Sequence, residues 1–215
     1  MLTRVRVVVL ALAGLSLAAC STVHPGSAAV VDGQSISMRT LDSTAEAYCT
    51  LTADAAQQQG ITTVSNSQVR RQAIVGLVSL VVARKLADSE GIEVEPSAYE
   101  LTTSQRERLA REFPDADADD LGRAIEDSQE VSAIAVALAV KDTGQPATDD
   151  TEAQLAELGQ ATILTAFPQN DVTFAPRFGL APSADVRAET GSISVTPVDL
   201  EAPVDEELPA ALRCS

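Results

Sequence analysis

Apolar residues recur along this chain in stretches of β-prone and of helical pattern. Ala28 to Ser37 (AAVVDGQSIS) reads as two short β-prone runs around Asp32-Gly33, a strong signal for a two-residue hairpin turn. Helical spacing follows. Ser37 is placed to cap a first helix through Gln59, with Leu41, Tyr48, Leu51 and Ala55 near one face and Gly60 ending it. Ser67 is the cap expected for a second helix reaching Ser89, with Gly91 as its stop. The middle of that helix, Ala73 to Ala83 (AIVGLVSLVVA), is apolar almost all round, which marks a central core helix. Its eleven residues are too few to span a bilayer, which takes about 20.

Pro96 suits the start of a third helix carrying Tyr99, Thr102, Arg106, Leu109 and Phe113 at helical spacing, interrupted at Pro114. A fourth is expected from Asp117 to Lys141, ending at Gly144, and a fifth from Thr148 to Phe167. Beyond Pro168 the pattern turns extended: Val172 to Ala175 predicts a strand, Gly191 to Val195 another, and Pro197 to Pro209 is acidic and broken by proline. The fold class that follows is mainly α: about five helices around an apolar central helix, with a small β-sheet from the N-terminal hairpin and a C-terminal strand.

The first nineteen residues stand apart. Arg4 and Arg6 precede an unbroken apolar run, Val7 to Leu15, with no acid before Asp32, as in a secretory signal. Leu17-Ala18-Ala19-Cys20 then resembles the lipobox of bacterial lipoproteins, in which cleavage falls before the cysteine and its thiol is lipidated. The alternative is an ordinary small-residue cleavage site with a chance cysteine. The organisation expected is a signal peptide over 1–19, a lipidated tether over 20–27, a helical domain over 28–196 and an extended acidic tail over 197–215. Localisation follows: lipid-anchored to the cell membrane at its extracytoplasmic face, through Cys20.

Charge narrows the partners. The full chain carries a formal −16, and losing residues 1–19 removes two arginines and no acid, leaving −18. Nucleic acid, whose phosphates need Lys and Arg, is not an expected partner. Anionic headgroups repel such a chain as well, so the lipid has to hold it there.

Catalytic material is sparse. His24 is the single histidine and lies in the tether, a poor place from which to hold a general base. No enzyme activity, cofactor or metal site is expected. Asp115, Asp117, Asp119 and Glu126 fall at calcium-loop positions, but Asp120 stands where that loop needs glycine and Arg123 brings positive charge; a carboxylate-rich helix cap is the expected reading. Most aromatics are expected in the core, Phe178 being the one most exposed. With Cys20 lipidated, two thiols remain in a compartment that permits disulfides, and pairing of Cys49 with Cys214 would explain a cysteine at the end of a tail. The alternative is a buried free Cys49 and a stray Cys214.

AAVVDGQSISMRTLD resembles the opening of the SurA and PrsA chaperone family, and QVRRQAIVGLVSLVVARKLADSEGIEV its long apolar helix ending in Gly-Ile-x-Val. VTFAPRFG is similar to the strand that closes such domains beside the first. The resemblance covers Ala28 to Gly179. It implies a lobe that binds unfolded or extended polypeptide between its helices. Residues 97–167 are helical and Ala-rich, without histidine, so the parvulin prolyl-isomerase module of that family is expected to be missing. A protein docking one envelope partner is the second reading the resemblance leaves open.

Overall fold

The computed structural model describes residues 26–186 and 209–214. A hairpin opens it: β1 (Ser27–Val31) and β2 (Gln34–Ser37) pair antiparallel, Val31 opposite Gln34 and Val30 opposite Ser35. Asp32 and Gly33 both take positive φ, 45° and 80°, the turn whose twist suits a two-residue hairpin. β1 begins at Ser27, one residue inside the expected tether. Every residue of β1 is buried, because β3 (Thr173–Phe174) pairs with its other edge and makes it the centre of a three-stranded sheet ordered β2-β1-β3.

Five α-helices follow among the described residues. α1 (Met38–Gln58) starts on Ser37, whose hydroxyl accepts from the Thr40 amide at 3.0 Å. α2 (Asn66–Glu90) begins on Ser65 instead of the expected Ser67. Ser65 has extended backbone and bridges to Arg213, whereas Ser67 already lies in the first helical turn and meets the Ser65 hydroxyl at 3.1 Å. At the other end Gly91 takes φ 64°, and the Ile92 amide donates back to the Ala87 carbonyl at 2.8 Å, a Schellman closure. α2 packs against α1, α4 (Ala118–Thr143), α5 (Glu152–Thr165) and β1, so it is the central helix. Both lysines of the chain fasten it: Lys85 pairs with Asp32 in the hairpin turn, and Lys141 of α4 reaches the Glu90 carbonyl and carboxylate, each at 2.7 Å.

The third helix differs from its expectation. Pro96–Ala98 makes one 3-10 turn, and α3 (Thr103–Glu112) starts on Thr102 through a capping box with Gln105. The Leu101 amide just before it donates to Glu126 of α4 at 2.8 Å, so a tertiary contact sets where this helix begins. Similarly, α5 starts later than Thr148, because the Thr151 hydroxyl donates to the Pro146 carbonyl and Thr151 closes a turn onto Thr148.

Phe178 is buried, not exposed. Pro176–Phe178 winds into a 3-10 turn that carries its ring into the main core, beside the sheet and α2. The same core holds Phe167 and Phe174, ring centres 6.5 Å apart, with Leu41, Ile74, Val78, Val82 and Ile163. The expected signal peptide, Cys20, the strand over Gly191 to Val195 and the tail over 197–208 lie outside the described residues. The last described stretch is not extended: Ala210–Leu212 forms a 3-10 turn.

Candidate functional site

Cys49 and Cys214 are brought together. Their sulfurs lie at bonding distance, 2.00 Å, with Cα atoms 5.1 Å apart. Cys49 sits buried on α1; the Cys214 amide donates to the Val64 carbonyl at 2.9 Å, and Arg213 bridges to Ser65. The C-terminus is thereby fixed at the connection between α1 and α2.

α1, α2 and α4 pack against one another and leave a cleft of about 840 Å³ along their junction. That is within the usual range for a binding cavity, roughly 300–1,000 Å³. α1 lines it with Thr44, Tyr48, Leu51 and Thr52, positions on one helical face. α2 gives Arg71, Gln72, Val75 and Gly76; α4 gives Ile125, Asp127, Ser128 and Val131. Gln160 and Leu164 of α5 close one side, with Leu180, Ala184 and Val186 from the chain after β3. The lining alternates apolar side chains with hydroxyls and amides, a surface for a ligand that is part apolar and part hydrogen-bonding.

Tyr48 and Asp127 are its chemically distinctive pair. Tyr48 crosses over α2 at Gly76, where an added Cβ would stand 3.1 Å from the phenol oxygen. Burial raises the Tyr48 hydroxyl above the usual tyrosine range, the Asp127 charge adds to this, and hydrogen bonding from Ser128 opposes it. Burial likewise pushes the Asp127 carboxyl up; Arg84 and Arg123 pull it down, Glu130 and Glu126 push it further up, and the net direction is upward. Arg84 itself is committed elsewhere, its Nε and Nη2 donating to the two Glu130 oxygens at 2.6 and 2.5 Å.

Three carboxylates of the acidic segment are engaged within the fold. Asp117 caps α4, accepting from the Asp119 and Asp120 amides at 3.0 Å each; Asp120 takes Arg123 at 2.8 Å; Glu126 takes Arg106 and the Leu101 amide. Among the described residues no group of three His, Cys, Asp or Glu side chains is placed to hold a metal ion. No described helix is long and apolar enough to cross a membrane. Cys20 and His24 lie outside the described residues.

Sequence reasoning placed Cys49 and Cys214 correctly and missed Asp127. The expected fourth helix carried no reading of Asp127, and the one signal on α1 was its single aromatic, Tyr48, among small residues. No family model matches the chain, and no curated protein or solved structure is significantly similar to it.

Proposed function

We propose that this chain is an exported lipoprotein, anchored through Cys20 at the extracytoplasmic face of the membrane, whose helical lobe holds an extended, non-native polypeptide in the cleft between α1, α2 and α4. The observation that supports this best is the cleft itself: open, about 840 Å³, and lined by Val75, Ile125, Val131 and Leu164 interleaved with Gln72, Ser128 and Gln160. Apolar positions take client side chains, while hydroxyls and amides take the backbone groups that an unfolded segment leaves unpaired. The activity is holding without prolyl isomerisation.

The mature protein from Ser21 onward should slow aggregation of a chemically denatured client diluted into buffer, at near-stoichiometric ratio, and should not accelerate isomerisation of a prolyl peptide. Isomerase catalysis would refute the reading of residues 97–167. In cells, Cys20→Ser should leave the protein unprocessed or release it from the membrane fraction; processing and membrane retention equal to wild type would refute the lipid anchor.

A second reading has its own observation. Leu180, Ala184 and Val186 of the protein's own chain form one wall of the cleft, which narrows it toward a single fitted partner in the envelope. Inactivity toward several unrelated clients, with one protein retained, would favour it.

A further inference from the structure

We propose that Asp127 and Tyr48 form a cation-holding position in the cleft, so that the extended polypeptide bound there carries a lysine or arginine at that point. This rests on the polypeptide-binding reading above and adds a side-chain preference to it.

Asp127 lines the cleft from α4 and is half-buried, and no hydrogen bond or ion pair engages its carboxylate among the described residues. The two arginines whose charge reaches it are held by other acids: Arg84 by Glu130 through two hydrogen bonds, Arg123 by Asp120. Arg71, the cation on the cleft lining, is not among the charges that act on Asp127. Among the described residues Asp127 is thus a partly desolvated carboxylate that Arg84 and Arg123 attract without bonding to it, since each donates to another acid. Tyr48 stands close enough to feel that charge. A carboxylate and a phenol on one cleft lining suit an ammonium or guanidinium group. Val75 and Val131 offer apolar contact for the methylene stem of either basic side chain. The chain's formal charge of −16 also draws basic segments toward it.

The test uses the mature protein from Ser21 onward and a pair of short fluorescein-labelled peptides rich in leucine and valine, one with a central lysine and one with norleucine there. Anisotropy titration at neutral pH should show the lysine peptide binding about tenfold more tightly, the scale of one charge-assisted hydrogen bond. Asp127→Asn should abolish that preference, bringing the lysine peptide down to the norleucine peptide's affinity for the same variant. Asp142→Asn, an exposed acid at the far end of α4, should keep the preference and so separate a local contact from net charge. Equal binding of the two peptides to wild type, or a preference that survives Asp127→Asn, would overturn the cation position alone. Binding of neither peptide would overturn the polypeptide-binding reading and this preference with it. A dimer in sedimentation that Asp127→Asn dissociates would assign the cleft to a second copy of the chain and overturn the proposal.

Discussion

Asp127 carries an energetic cost in the folded state. Its carboxyl is raised above 3.8, the ordinary aspartate value, because burial disfavours the charge more than Arg84 and Arg123 favour it, with Glu130 and Glu126 pushing it further up. The folded state therefore binds this proton more tightly than the unfolded chain does. Its favourable contribution is complete below pH 3.8 and is lost as pH rises through the higher folded value, so at neutral pH Asp127 opposes folding. Asp127→Asn is expected to raise Tm at neutral pH, by a small amount because the group is half solvent-exposed and screened. The gain should vanish in melts below pH 3.8. A loss of stability at neutral pH would mean that Asp127 has a partner inside the fold. Phe178 carries the opposite lesson. Read alone between Pro176-Arg177 and Gly179 it looks exposed, yet the turn those residues make folds its ring inward.

Helix ends were legible wherever the cap is local. Ser37, Asp117 and Gly91 each act through amides or carbonyls within a few residues, and each stands where the sequence places it. Ends fixed by distant contacts were not legible: α3 waits for Thr102 because Leu101 is tied to Glu126, and α2 starts at Ser65 beside Arg213. The cleft was equally invisible, since it depends on how three helices distant in sequence pack together. The tightest contact between helices lies elsewhere, at α4 and α5. There Gly159 sits so close to the Ala135 carbonyl that any Cβ would overlap the backbone oxygen. Gly159→Ala gains helix propensity of about 1 kcal/mol yet forces two helices apart. Overpacking costs typically 1–3 kcal/mol, and here backbone has to move, so the net effect expected is destabilisation by about 2 kcal/mol or more in urea unfolding. Unchanged stability would show that α5 is free to shift.

Over the whole molecule, the mainly α architecture with its small sheet follows from the hydrophobic periods, and the Cys49–Cys214 pairing joins a long chain into one loop. The pair spans 165 positions. Chain entropy gives such a bridge an upper limit of about 5 kcal/mol, with measured values often lower. Replacing both residues, Cys49→Ala with Cys214→Ser, is expected to lower stability by about 2–4 kcal/mol in denaturant unfolding; no change would mean that the bridge does not constrain the unfolded chain. The −16 formal charge disfavours contact with anionic surfaces, so the proposed lobe would depend on the proposed lipid to stay at a membrane. The most direct test of that role is photo-crosslinking from within the cleft. A photoreactive phenylalanine at Gln72, exposed on the cleft lining, is compared with one at Glu107, exposed on α3 away from it. Both proteins are mixed with a permanently unfolded, carboxymethylated client. The account predicts efficient capture from position 72 and background capture from position 107. Equal capture from both positions, or none from position 72, would contradict it.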